Sequence, residues 1–351
     1  MNCCTNCFES SYLNAIILAD KKLGNCDYCN SQTVYIYEAP KLKPFFLGII
    51  ELYEVDQAHG FPIENQIVID FKDKVFSNNL YQANNIKFLI KEIIEEDIGD
   101  YKEILSKPVR LRFLKKSQEK DATQPLSLSW DKFSKEIKTV NRFHFGTNLD
   151  IERLKSLFEY FQKDYKKGDQ FYRARISKNQ LGYPTHDMGN PPPKLARSGR
   201  ANPKGISYLY VAKDVKTTLY EARAGLFDFV TVGTFRLKED IKVVNLNRST
   251  YDVFRLAELE SLEDVMLHGS FTDKLEDELS KPRRKSDSEL DYLPTQYLSE
   301  LIKSMGFDGI EYKSSLYSKG YSIAIFNPEK LECEETHVYD IQNIELEYSE
   351  V

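Results

Sequence analysis

An α+β fold in two successive parts is predicted by a change of hydrophobic period along the chain. Up to Gly168 the apolar residues recur at intervals of three and four, the spacing of one buried helix face. Beyond it they gather into short strand-like runs between helices and long loops. With 351 residues and 41% hydrophobic content, the chain is long enough to bury a core in each part. Residues 1–168 are therefore expected to form a mostly helical domain, and residues 169–351 a domain of short strands and helices.

The first element is a cysteine knuckle. Five of the six cysteines fall within the first 29 residues, a clustering that suits a metal in a reducing compartment better than an extracellular disulfide framework. Cys4-x2-Cys7 and Cys26-x2-Cys29 are separated by 18 residues, inside the roughly 15–20 residues typical of tetrahedral zinc sites. Four thiolates leave no open position for water, so the expected zinc is structural and not catalytic. The alternative is two unlinked pairs of free thiols. Cys3 is spare, and Cys333 reads as a lone packed or surface thiol. Between the pairs, SYLNAIILADKKLG is expected to form a short helix closed by Gly24.

A helix is expected within residues 34–60, where Pro44 to Ile50 is apolar. Asn84 to Asp97 places Ile86, Leu89, Ile90, Ile93 and Ile94 on one face, the mark of an amphipathic helix. Trp130 to Phe143 and Ile151 to Tyr165 repeat that pattern, and polar Lys115 to Ser129 between them, with Gln124-Pro125, reads as a loop. After Gly168, FYRARI, SYLYVA, FVTVGTFRL, IKVVNL and YSIAIFN supply strands. The long connector from Ser177 to Gly205 carries Pro184, Pro191, Pro192, Pro193 and Pro203, which suits a stiffened rim or lid. His186 within it is read as incidental. A helix from Leu293 to Met305 is stopped by Gly306, and Gly309 to Ser315 follows as a strand that delivers serine hydroxyls at its end.

Composition narrows the partners. The net charge is -6, from 48 basic and 54 acidic side chains, and the compact basic block is Lys281 to Lys285, so nucleic acid is not the expected partner. No apolar stretch approaches the roughly 20 residues that cross a bilayer, and the N-terminus lacks a signal-peptide pattern. A cytoplasmic protein without membrane attachment is expected. No G-x-G-x-x-G follows a strand and no P-loop motif occurs, which excludes the usual dehydrogenase and NTPase phosphate loops.

The chemistry concentrates in GRANPKGISYLYVAKDVKTTLYE, Gly199 to Glu221. Arg200 leaves a tight loop, Asn202-Pro203-Lys204-Gly205, just before the apolar run that holds Tyr210. Asp214 can cap a helix with Leu219 and Ala222 on its apolar face and Glu221 two turns in. A guanidinium, an aromatic hydroxyl and a carboxylate can therefore converge. Taken singly, each has an ordinary explanation as a solvated surface charge or a packed strand tyrosine.

In this order the residues closely resemble the RES family, in which a Gly-Arg-x-Asn loop, an apolar strand with tyrosine and a Thr-Ala-x-x-Glu-like helix follow one another. The resemblance continues in Tyr292 to Ser315 and in Tyr321 to Pro328, and it covers roughly the C-terminal half. It implies an ADP-ribosyltransferase-like domain that binds NAD and breaks its nicotinamide–ribose bond, commonly as a bacterial toxin or defence effector. Glu221 then stabilises the positive charge developing on the ribose, and Arg200 grips the pyrophosphate through a bidentate fork. Tyr210 stacks on a ring and donates its hydroxyl, and Ser314 hydrogen-bonds the amide or a phosphate. The family's Tyr-Pro-Ser-Ser is here Tyr312-Lys313-Ser314-Ser315, and a position often held by asparagine is Ser322, so Ser315 and Ser322 rival Ser314. Arg173 matches the family's arginine near its first strand, as the phosphate contact in place of Arg200 or as the group that fixes the carboxylate, and alternation leaves open whether Arg173 or Arg175 faces the pocket.

The N-terminal half resembles a zinc-bearing region that precedes some RES domains and is grouped with HEPN proteins, many of them ribonucleases. None of the five histidines has an arginine at the expected upstream spacing, so a regulatory or interaction role is expected there. It offers a means of covering the pocket. Three functions follow: NAD breakdown by water or phosphate, transfer of ADP-ribose to a protein or nucleic acid, and nucleotide sensing without turnover. Expected partners are NAD and an antitoxin or other regulatory protein, with a homo-oligomer left open.

Overall fold

A computed structural model describes residues 1–71, 74–112, 126–147, 149–247, 252–258, 262–281, 288–317 and 319–344. Packing divides the chain into two units, Met1–Pro125 with Ser249–Gly269, and Leu126–Arg248 with Ser270–Val351. Most of the expected loop at Lys115 to Ser129 and most of the basic block at Lys281 to Lys285 lie outside the described residues.

The first unit begins with β1 (Asn2–Cys4), β2 (Leu23–Gly24) and β3 (Val34–Glu38), an antiparallel sheet in the order β1-β3-β2. Helix Ser11–Ala19 lies between the cysteine pairs, opened by Ser10, whose side chain accepts from Leu13 N. It ends at the Asp20 cap and not at Gly24. Lys21 turns the chain with a φ of +53°, and Gly24 pairs with Val34 in β2. Helix Lys43–Ile50 buries Phe46, Ile49 and Ile50, and Phe46 meets Phe254 at 4.9 Å between ring centroids. Helix Ile86–Ile93 buries Ile86, Leu89, Ile90 and Ile93, each contributing about 1.5–3 kcal/mol of apolar burial. β4 (Tyr53–Val55) and β5 (Val109–Leu111) form a two-stranded pair. Asp252 closes the unit by accepting from Ser10 Oγ at 2.8 Å and Tyr12 N at 2.9 Å.

The second unit is built on one sheet. Its strands are β6 (Gln162–Tyr165), β7 (Gln170–Ser177), β8 (Leu209–Ala212), β9 (Phe229–Leu237), β10 (Ile241–Asn245), β11 (Gly309–Lys313), β12 (Tyr321–Ile325) and β13 (Leu331–Asp340). They lie in the order β13-β9-β7-β8-β12-β11-β10-β6. The β10–β11 pair is parallel; the other described neighbours are antiparallel. Phe171, Leu209, Val211, Phe235, Ile323 and Ile325 form the buried apolar face. β7 and β8 pair only through Tyr172 and Ala212, whereas β7 and β9 pair along all eight positions from Gln170 to Ser177. The sheet therefore parts between β7 and β8.

Three expectations are corrected here. The helix read from Ile151 to Tyr165 stops at Tyr160, and Gln162–Tyr165 becomes β6 because it pairs with Ile241–Val244 and buries Tyr165 against Phe171 at 5.1 Å. The strand read from Gly309 to Ser315 ends at Lys313. Helix Leu126–Thr139 packs into the second unit, with Trp130 5.5 Å from Phe271 and Phe133 4.9 Å from Tyr297, so residues 126–168 share that unit's core.

Candidate functional site

A cavity of about 430 Å³ opens where β7 and β8 part, lined by Arg173, Arg197, Gly199, Arg200, Tyr210, Glu221, Arg223, Tyr312, Ser315 and Ser322 among others. Arg173 leaves β7 into the gap and donates from Nη1 to Tyr210 O at 3.3 Å, supplying across the split a bond the strand ladder lacks. Burial, with Arg175 nearby, pushes its guanidinium down to about 10. Its buried Nε has no hydrogen-bond partner among the described residues, so a donor stands ready for an acceptor. Arg175 is placed elsewhere: it donates to Asp187 O and lies 4.3 Å over the Tyr183 ring.

The loop before β8 is held from within by Asn202. Its two amide hydrogens are shared among Arg197 O at 3.0 Å, Ile206 O at 2.9 Å and Pro203 O at 3.2 Å, and its Oδ1 accepts from Tyr210 Oη at 2.6 Å. Gly199 is needed for this closeness, because a Cβ there would lie 2.6 Å from Asn202 Oδ1 and 3.2 Å from Tyr210 Oη. Helix Leu293–Ser304 fixes the loop from outside: Gln296 Nε2 donates to Gly199 O at 2.7 Å and Asn202 O at 3.1 Å, and Thr295 Oγ1 to Arg200 O at 2.6 Å. Arg200 donates from Nη1 to Glu278 O at 2.9 Å and lies 5.0 Å over the Tyr292 ring. Its direction is thus set from behind.

Tyr210 is half-buried at the cavity wall, and desolvation pushes its phenol up. Its hydroxyl donates to Asn202 in this structure. Helix Val215–Glu221 is capped by Asp214, which accepts from Thr217 N at 2.8 Å and Thr217 Oγ1 at 2.6 Å. Its buried face is Thr217 and Thr218, which turns the terminal Glu221 to the cavity. Ser314 Oγ donates to Glu221 Oε1 at 2.5 Å and Ser315 N to the same oxygen at 3.0 Å. Ser314 therefore meets the carboxylate and does not line the cavity. Ser322, buried in β12, and Ser315 do line it.

Sequence reading missed Arg197, Arg223, Tyr312, Thr295 and Gln296, and it gave Asn202 only a turn. Arg197 lies in the same Gly-Arg-rich loop as Arg200, a signal available in the sequence. Arg223 and Gln296 carried none, since nothing local sets a charged helix end or a helical glutamine apart.

In the first unit, the sulfurs of Cys4, Cys7, Cys26 and Cys29 all lie within 4.8 Å of one another. Cys4 to Cys7 is 3.9 Å, and Cys4 to Cys29 and Cys7 to Cys26 are 3.4 Å, close to the ~3.8 Å edge of a tetrahedron with ~2.3 Å zinc–sulfur bonds. Tyr28 N and Cys29 N both donate to Cys26 Sγ at 3.4 Å, the support expected around a ligating thiolate. All six cysteines are free of disulfides. The donor set fits a tetrahedral thiophilic cation.

The RES domain family model matches residues 170–348, the region that holds the cavity. Among solved structures, a chain from the crystal structure of the M. tuberculosis MbcT–MbcA toxin–antitoxin complex is similar at 13% identity, over 54% of this chain and 93% of that chain, with a TM-score of 0.31. No match is found among curated proteins. Among the described residues no helix is long and apolar enough to cross a membrane.

Proposed function

The chain belongs to the RES domain family, and from that premise we propose that its cavity binds NAD and breaks the bond between nicotinamide and ribose, with water as acceptor. The observation that carries this reading is the charge around one cavity: four guanidinium groups, Arg173, Arg197, Arg200 and Arg223, beside one carboxylate, Glu221. An electropositive pocket suits a pyrophosphate, and a single oriented carboxylate suits a sugar that becomes cationic. Nicotinamide in NAD is already a cationic leaving group, so no strong nucleophile is required. As the C1′–N bond breaks, its electron pair leaves with neutral nicotinamide; the oxygen of water then bonds to C1′, and a proton passes to solvent.

Ser314 and the Ser315 amide fix one oxygen of Glu221. Among the described residues Oε2 accepts no hydrogen bond, so it is available to a ribose hydroxyl and to the developing charge. Arg200 and Arg173 hold the phosphates, and the ring of Tyr210 forms a wall for a base. We assign Cys4, Cys7, Cys26 and Cys29 a structural zinc, and the chain a role as a toxin or defence effector held in check by a regulatory protein.

Purified protein incubated with NAD tests the reaction. Free nicotinamide is expected, falling by about a hundredfold or more in Glu221→Gln, in line with the loss of an oriented charge at a reacting centre, and strongly in Arg200→Ala. Labelled protein in place of free ADP-ribose would turn the reading to transfer, and saturable binding without either product would turn it to sensing. Full turnover in Glu221→Gln would overturn the role given to that residue.

A further inference from the structure

Helix Val215–Glu221 closes with a Schellman turn. Ala224 N donates to Leu219 O at 3.2 Å and Arg223 N to Tyr220 O at 2.8 Å, which places residue 223 in the left-handed region with a φ of +55°. Glycine takes this position without steric penalty, whereas a Cβ crowds the neighbouring carbonyl. An arginine stands there instead, exposed, and it lines the cavity. Any cation near the terminal carbonyls favours the helix dipole, so the dipole accounts for a positive charge and not for arginine over lysine. The planar fork is what arginine adds.

The other guanidiniums divide by depth. Arg173 is half-buried, and its buried Nε has no partner among the described residues; Arg200, also half-buried, is held from behind by Glu278 O and Tyr292, so both suit one inner phosphate. Arg223, like Arg197, is exposed at the same cavity, and it alone of the four stands beside Glu221 in sequence. We propose that Arg223 is a further ligand-binding residue that grips the second phosphate of a pyrophosphate, so that the site selects ligands with two linked phosphate charges over ligands with one. The identity of that ligand as a dinucleotide rests on the NAD reading above; the charge selection does not.

Calorimetric titration of the full chain with inorganic pyrophosphate and with inorganic phosphate tests it. In Arg223→Gly the thermal midpoint is expected to rise as the left-handed strain is relieved, while pyrophosphate binding weakens about tenfold or more, the scale of a lost charge-assisted hydrogen-bond pair, and phosphate binding hardly changes. Arg223→Lys keeps charge and backbone but loses the fork, and it is expected to lose most of the same affinity. Unchanged pyrophosphate affinity in Arg223→Gly, full affinity in Arg223→Lys, or no pyrophosphate binding by the unaltered chain would each overturn the proposal. If pyrophosphate binding behaves as expected but NAD releases no nicotinamide, the NAD reading fails and this one stands.

Discussion

Asn202 joins the loop of Arg200 to the strand of Tyr210: its two amide hydrogens are shared among three carbonyls, and its Oδ1 accepts from a phenol. It is buried, so removal of its amide leaves those partners without replacement. Net hydrogen-bond contributions of about 1 kcal/mol each, with added desolvation for groups left unpaired, give a cost of roughly 3–4 kcal/mol for Asn202→Ala. Urea unfolding is expected to register that loss, together with weaker pyrophosphate binding as Arg197 and Arg200 lose their frame. A change under about 1 kcal/mol would show that the loop is held by Gln296 and Thr295 alone. The sequence showed Asn202 as a turn residue because its local neighbours, Pro203 and Gly205, are turn formers. Its three carbonyl partners become visible only once the loop has closed on itself.

Between elements, the geometry of the candidate site depends on the end of helix Val215–Glu221 meeting the end of β11. The meeting is made by the Ser314 hydroxyl and the Ser315 main chain, both on Glu221 Oε1. The two serines are therefore distinguishable by substitution. Ser314→Ala removes a charge-assisted bond, worth roughly 1.5–3 kcal/mol, and is expected to lower kcat for nicotinamide release about tenfold or more. Ser315→Ala leaves its N–H in place, so the Glu221 contact is expected to survive and any loss to fall on KM. The reverse pattern would mean that the serine hydroxyl lining the cavity acts on ligand and that Ser314 only packs. At this scale the helix cap at Asp214 was legible, since an aspartate before a helix start is a local signal. β6 was not, because Gln162–Tyr165 follows a strongly periodic helix and is made a strand only by its distant partner β10. The opening between β7 and β8 was equally hidden: it depends on register, and single strands carry no register of their own.

Across the whole molecule, the two units rest on different stabilising devices. The second buries a broad sheet face with Phe171, Phe235 and Ile323. The first places small strands β1–β3 around four sulfurs that lie within 4.8 Å of one another. Short strands bury little apolar area, and small domains of this kind lean on a metal for stability. The cysteine spacing was readable because two ligand pairs at a fixed separation are a chain-local pattern, whereas the return of residues 249–269 to the first unit was not, since Phe254 has no partner until Phe46 is placed. One zinc per chain is expected by elemental analysis, and substitution Cys7→Ser is expected to lower that content sharply. Hydrogen exchange then locates the effect. Chelation at neutral pH is expected to accelerate amide exchange across residues 2–38, which hold β1, β2, β3 and the helix between them, by about a hundredfold or more, since structural zinc contributes several kcal/mol of folding free energy. Exchange in that segment that is unmoved by chelator, with no zinc in the purified chain, would leave four buried free thiols and remove the metal from the account of the first unit.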